Sequence, residues 1–362
     1  MTVAVDPQET VLVLGAGASK PYGFPTGDEL VHEICGSFGA EVQSLGAREV
    51  QRRAFGEQVR EFLERLRGAD TDNIDTFLQR NPSLDRTGRL AVAMTILGRE
   101  KPTALNPQDE HARREHWYKY LWNRIAPDDP RHIASTCPRI ITFNYDRSLE
   151  EYLFRRLPML YSWVDSARAA EYLRILPIVH VHGRTGRLPW QEGADEPIDY
   201  GYGSGDRLIS RELALMASEG IKIVGAASPS EAATKTARDW LREARVIGFL
   251  GFGYEKANVE LLFRGLSLSK DVVINGSAFG LTDARKEQAV KQLHSLLGTD
   301  DETRRISHRL LGIQEFRSAI SRRDDGSWRF ATPNRNTVTV CFGDNAHGNL
   351  EFLDHSPHLL RG

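Results

Sequence analysis

The sequence predicts an α/β fold: a doubly wound, mostly parallel sheet that carries a helical insertion. Three observations predict it. An apolar run, Val11-Leu12-Val13-Leu14, leads straight into a turn of small residues, Gly15-Ala16-Gly17-Ala18-Ser19. Beyond about residue 138, short β-branched runs alternate with helical stretches, as parallel strands joined by helical crossovers do. Between these regions, from about 36 to 130, charged residues are dense, apolar residues recur at helical spacing and strand signals are scarce.

Taken in order, residues 10–14 read as a buried strand. Residues 26–35 read as a helix, with Thr26 as N-cap and Glu29 three residues on, a weak capping box. Phe55, Val59, Phe62, Leu63 and Leu66 begin a set of four or five helices. Ile74, Phe77 and Leu78 continue it, followed by Leu90, Ala93, Met94 and Leu97, and then by Trp117, Tyr120, Leu121 and Ile125. Strands are expected at Arg139–Phe143, Ile178–His182, Ile221–Val224, Val246–Gly251 and Val272–Asn275, and a late one at Thr337–Phe342. Helices are expected at 147–156, 210–219, 231–244, 255–265 and 283–297, with a Gly-, Pro- and Asp-rich loop at 184–208. This divides the chain into a discontinuous domain (1–35 and 131–300), the insertion (36–130) and a C-terminal extension (301–362).

The chain has 362 residues, 40% hydrophobic and 27% charged, so it can bury a core. A formal charge of −2 gives no bulk reason to expect nucleic acid or membrane as partner. Cys35, Cys137 and Cys341 are isolated, which excludes a C-x-x-C zinc ribbon and suits a reducing compartment. With no membrane-length apolar run and no signal region in Met-Thr-Val-Ala-Val-Asp-Pro, a cytoplasmic location is expected. G-x-S-x-G, Walker and H-E-x-x-H motifs do not occur.

In doubly wound sheets, ligands bind beyond the carboxyl ends of the strands. The predicted strands end there in Gly15-Ala16-Gly17-Ala18-Ser19, in Asn144-Tyr145-Asp146, in His182-Gly183, in Gly251-Phe252-Gly253-Tyr254 and in Asn275-Gly276-Ser277. Small, polar and titratable groups therefore gather on one rim. The glycine turn lets a backbone approach a pyrophosphate. Lys20-Pro21 stands where a hydride-transfer fingerprint needs its third glycine, so a dinucleotide is expected in a longer loop of another kind. Each residue also has a plainer reading. Gly15 and Gly17 suit a tight turn, Gly251 and Gly253 close packing. Asn144 and Asp146 suit an Asx turn or helix cap, and His180 and His182 a strand face.

Together these motifs resemble the sirtuin superfamily, and within it the bacterial NAD-hydrolysing branch of antiphage defence. The resemblance rests on Gly15-Ala16-Gly17-Ala18-Ser19 with Gly23-Phe24-Pro25, on Phe143-Asn144-Tyr145-Asp146, on His182-Gly183 and on Gly251-Phe252-Gly253-Tyr254. Ile74-Asp75-Thr76-Phe77-Leu78 also looks like a stretch of that branch. The likeness spans about residues 10–285.

The resemblance implies a sirtuin-type Rossmann domain that hydrolyses NAD, as substrate and without a metal, to ADP-ribose and nicotinamide. It implies that Asn144 positions the water or ribose, that His182 is the general base, and that Asp146 orients the nicotinamide side or braces the loop. The Ala16–Ser19 amides would take the phosphates, Asn275 the adenosine ribose, and Gly15, Gly23, Pro25, Gly251, Gly253 and Tyr254 would line the cofactor. Gly253 stands where many relatives carry a contacting serine. Pro25-Thr26-Gly27-Asp28 and the missing four-cysteine module point away from deacylation. In the family's setting the chain would be a toxic effector acting by NAD depletion, a homo-oligomer controlled by a translocase-type ATPase or an Argonaute-like protein. A deacylase, an ADP-ribosyl transferase or cyclase, and a non-catalytic NAD or ADP-ribose sensor are the alternatives.

Overall fold

The computed structural model describes residues 7–44, 49–109, 116–191, 193, 196–203, 209–223, 231–268, 272–277 and 281–297, with three short segments, 320–322, 328–330 and 339–343. Six parallel strands form the sheet: β1 (Thr10–Leu14), β2 (Arg139–Thr142), β3 (Ile178–His180), β4 (Val246–Leu250), β5 (Val273–Ser277) and β8 (Thr339–Gly343). Their order is β3-β2-β1-β4-β5-β8. The chain thus winds outward from β1 in both directions, and the direction reverses between β1 and β4. In such a sheet that reversal opens a crevice at the carboxyl ends of the two central strands. Two further strands, β6 (Ile320–Arg322) and β7 (Trp328–Phe330), pair antiparallel in a separate hairpin.

Alternation along β1 sorts the two faces. Leu12 and Leu14 enter one core, with Ile140 of β2. Val11 and Val13 enter the other, with Ile141, Ile247, Phe249 and Ile274. Every residue of β1 and β4 is buried, as expected of parallel strands covered on both sides. The second face is covered by helices Glu231–Glu243, Lys256–Phe263 and Asp283–Leu297, through Ala237, Leu241, Val259, Leu262, Ala289 and Leu293.

The first face is covered by the insertion. Its helices are α2 (Gly27–Ser44), α3 (Glu49–Gly68), α4 (Ile74–Arg80) and α5 (Asp85–Arg99), followed by Trp117–Ile125. Their apolar residues share one core with β1 and β2, so the insertion is a layer of the same body. Residue 36, taken as its start, falls inside α2. The helix continues because Leu30, Val31, Ile34 and Phe38 keep one buried face going, and Gly39 lets α3 come close: a Cβ there would lie 3.3 Å from Leu63 Cδ1. Half of the expected capping box forms: Thr26 N–H donates to Glu29 Oε2 at 2.9 Å, while the Thr26 hydroxyl donates to Asp28 Oδ1 at 2.6 Å. Lys20 and the Thr26 N–H hold the Glu29 carboxyl down at about 2.

Three expectations need correction. Ile221–Val224 is not a strand over its described residues. Ile221 forms a single antiparallel bridge to Gly183, and Val224 lies outside the described residues. β3 stops at His180, because the chain turns at Gly183 (φ 69°). The late strand joins the parallel sheet beside β5, so part of the supposed extension belongs to the main sheet; Thr337 and Val338 lie outside the described residues. Among the described residues no helix is long and apolar enough to cross a membrane.

Candidate active site

The strand registers level the rim. Leu14 pairs with Thr142 and with Leu250, and Thr142 pairs with His180. Asn144 and His182 therefore stand at equivalent positions, two residues beyond the same level on neighbouring strands. Both are buried.

The glycine turn is tighter than its spacing suggests. β1 passes at Gly15 directly into one helical turn, α1 (Ala16–Ser19), and then into a 3₁₀ turn, Lys20–Tyr22, which Gly23 ends at φ 91°. The expected longer loop is absent. Pro21 sits at the start of the 3₁₀ turn, where a missing N–H costs little. The turn is sewn to the one after β4: Gly15 N–H donates to Leu250 O at 3.0 Å and Gly17 N–H to Gly251 O at 2.9 Å. A Cβ on Gly15 would lie 2.5 Å from Gly251 O, and one on Gly251 (φ 56°) 2.0 Å from Ala18 N. Only glycine fits at either place. Ala18 N–H donates to Gly15 O at 2.9 Å. The amides of Gly15, Gly17 and Ala18 are thus engaged within the protein, and the phosphate role expected of the loop does not fall to Gly17 or Ala18 in this arrangement.

Asn144 closes over this turn. Its Nδ2 donates to Gly15 O at 3.0 Å and to Ser19 Oγ at 2.8 Å. Its Oδ1 is buried without a hydrogen-bond partner, a costly state in a protein interior. Asp146 lies deeper. Its Oδ1 accepts from Ser148 N–H at 3.0 Å and from the Ser148 hydroxyl, closing a turn just ahead of the helix Ser148–Leu160. Burial pushes its carboxyl up, against the opposing pull of Ser148 and Ser19. Behind it, Ser148 meets Tyr118 Oη at 2.7 Å, Tyr118 stacks on Tyr22 at 3.7 Å between centroids, and Trp117 Nε1 donates to Ala18 O at 2.7 Å. The insertion thus grips the glycine turn from outside.

His182 sits between the two faces of the sheet. Its Nδ1 lies 3.4 Å from Asp75 Oδ1, an ion-pair distance that falls short of a well-formed hydrogen bond. Its Nε2 lies 3.2 Å from Asn258 Oδ1 on helix Lys256–Phe263. The Tyr145 hydroxyl donates to the same Asp75 oxygen. Phe143 and Tyr145 flank the ring at 5.1 and 6.1 Å. Burial opposes protonation of His182, yet Asp75 outweighs it and raises the pKa above the ordinary histidine value. Burial likewise opposes ionisation of Asp75, but His182 and Tyr145 hold its carboxyl below the ordinary range. Gly183 fixes the following turn, since a Cβ there would meet Gly220 O at 2.1 Å.

His180 has a separate office. Its Nδ1 faces Asn144 O at 3.1 Å and its Nε2 faces Glu150 Oε1 at 2.8 Å, with Arg184 on the same carboxylate oxygen at 3.1 Å. Burial works against the Glu150 charge, but His180 and Arg184 bring its carboxyl down to about 2. His180 holds the Asn144 backbone in place.

The structure thus gathers Gly15, Gly17, Ala18, Ser19, Asn144, Asp146 and Gly251 in one bonded group. His182 is linked to it through Phe143, whose ring is 5.2 Å from Phe252. Tyr254 is buried beside Phe252 at a positive φ of 53°, a strained backbone for a bulky side chain. Gly253 is exposed, and a Cβ there would meet open space. Gly23 is an exposed turn residue and Pro25 a buried one beyond the 3₁₀ turn; no described contact joins either to this group. Asn275 is not at a strand end. It lies in mid-β5 opposite Gly248, and Ser277 occupies the rim instead, its Oγ accepting from Gly251 N–H at 2.8 Å.

Asp75, Tyr145, Asn258 and Ser277 are neighbours of the site to which the sequence assigned no role. An acid in the first turn of a helix capped by Asn73 is accounted for by the helix dipole, and nothing in its spacing links it to a histidine far downstream. Among the described residues no group of three or more His, Cys, Asp or Glu is arranged to hold a metal ion. No protein-family model matches the chain, and no curated protein matches it.

Proposed function

We propose that the chain is a sirtuin-like NAD glycohydrolase, which splits NAD with water into ADP-ribose and nicotinamide. One observation carries the reading. Beyond the carboxyl ends of β2 and β3, a buried asparagine with an unpartnered carbonyl oxygen and a buried histidine facing a carboxylate stand at matched positions on adjacent strands. A protein that only binds a nucleotide has no need of the second.

In this reaction the bond from ribose C1′ to the nicotinamide nitrogen breaks, and its electron pair leaves with the nicotinamide. The ribose becomes oxocarbenium-like and water adds at C1′. The protein must hold the ribose, aim the water and take a proton. The free Oδ1 of Asn144 suits a ribose hydroxyl or the water as hydrogen-bond donor. His182 suits the proton, which passes to it from a ribose hydroxyl or the water and then to solvent. A neutral imidazole is required for that step. The dinucleotide would lie along the carboxyl ends of the strands, over the joint that Gly15, Gly17 and Gly251 close between β1 and β4. The wider role, depletion of NAD as the effector of a bacterial defence system under an ATPase or Argonaute-like partner, rests on the motif resemblance alone.

The test is incubation of the purified chain with NAD while nicotinamide and ADP-ribose are followed. Asn144→Ala and His182→Ala should each lower turnover by about 10²- to 10⁴-fold with the fold intact. Cyclic ADP-ribose, or transfer to an added acceptor, would redirect the reading to a cyclase or transferase. Wild-type protein that neither turns over nor binds NAD by calorimetry would overturn it.

A further inference from the structure

We propose that Asp75 and His182 act as one dyad, in which Asp75, delivered by the insertion helix α4, is the positioning residue that sets the tautomer and basicity of His182. The proposal rests on the hydrolase reading and names a residue that reading does not supply.

Three features of the geometry support it. Asp75 Oδ1 faces Nδ1 and not Nε2. Asn258 Oδ1, also an acceptor, faces Nε2 at 3.2 Å, so the imidazolium is held at both nitrogens; when it loses a proton, the charged Asp75 holds the one left on Nδ1, and Nε2 becomes the basic nitrogen once the Asn258 amide turns away. The 3.4 Å separation, longer than an ideal hydrogen bond, is of the kind that tightens when a substrate is bound. Second, the carboxylate is itself fixed, because Tyr145, from the loop that carries Asn144, donates to the oxygen that faces the histidine. Third, among the described residues the histidine has no other charged partner. Phe143 flanks it, Asn258 faces Nε2, and Lys222 meets it only through the backbone, its ammonium being occupied by Glu219 O. Of the titratable groups around the ring, Asp75 and Tyr145 are the two in contact, and Tyr145 is held neutral, its pKa raised by burial and by Asp75. A carboxylate held on one imidazole nitrogen makes the other a better base, an arrangement known from hydrolases and metal sites.

Asp75→Asn removes the charge and keeps the shape. It should lower kcat for NAD by about 10- to 10³-fold with KM within about threefold, and move the acidic limb of the kcat profile to lower pH. Asp75→Glu should restore part of both. A purely structural role for Asp75 would not move the acidic limb. Nitrogen-15 NMR of histidine-labelled protein, assigned with His182→Ala, reads the same dyad without turnover. Wild-type His182 should titrate above the ordinary histidine value and carry its neutral proton on Nδ1, and in Asp75→Asn the titration should fall. Wild-type turnover with an unshifted Asp75→Asn profile would overturn the dyad and leave the hydrolase standing. An Nε2–H tautomer or an unraised titration in the wild type would overturn the dyad whether or not NAD is cleaved. An intact dyad in a chain that never binds NAD would overturn the hydrolase instead.

Discussion

A single methyl group tests the joint between β1 and β4. Gly15→Ala drives a Cβ to within 2.5 Å of a backbone oxygen, and Gly251→Ala adds an unfavourable φ of 56° to a 2.0 Å clash. Neither backbone can yield without breaking the Gly17–Gly251 hydrogen bond. Each substitution should cost more than about 2 kcal/mol. Gly253→Ser, two residues away in open space, should change stability by less than about 0.5 kcal/mol. Urea unfolding midpoints of the three variants check the contrast. At this scale the sequence disclosed which residues matter more readily than how they matter. Gly15, Gly17 and Gly251 could be read as nucleotide contacts or as close packing, because both uses ask for the same absent Cβ. Asn144 and His182 could be placed because each follows a strong strand by a fixed short count. Asp75 could not be connected to His182, since that contact exists only once α4 has docked.

Elements carry the next level of organisation. The buried Arg147–Glu100 pair joins the C-terminal end of α5 to the start of the helix Ser148–Leu160, at 2.7 Å and with neither side chain exposed. Arg147 also donates to Ile198 O at 2.7 Å, and Glu100 accepts from Gly201 N–H at 3.1 Å. The segment read from sequence as a plain loop, 184–208, is therefore pinned from both sides over these described residues. Glu100→Gln leaves a buried guanidinium without its counter-charge and should cost about 3–5 kcal/mol, measurable as a lower unfolding midpoint. Helices were legible where one face stays apolar over several turns, as in α5. Boundaries were less so. Glycine at 36 and 39 signals a helix end, yet α2 runs through both because Phe38 and the close approach of α3 outweigh propensity. The run at 221–224 was read as a strand from its composition. Its only described pairing is with the His182-Gly183 turn, a partner that composition does not encode.

The whole molecule couples its charge state to its stability. The raised pKa of His182 gives stability that is full below the ordinary histidine value and lost as pH rises through the folded one. The depressed pKa of Asp75 gives stability that is present above the ordinary aspartate value and lost as pH falls through the folded one. The two overlap between about pH 4 and 6.5. The difference in melting temperature between wild type and Asp75→Asn should be greatest there and shrink on the alkaline side, where the histidine becomes neutral; a difference that is flat across pH would contradict this. The overall architecture was the most legible level, since alternating strands and helices leave few ways to wind a parallel sheet. The single core shared by the insertion and the sheet was not, because a charged helical stretch between two strands reads equally as a domain of its own. That shared layer also bears on descent. The histidine belongs to the sheet and its carboxylate to the helices laid over it, so a lineage that exchanged those helices would inherit the strand order and the crevice but not the carboxylate that faces the histidine.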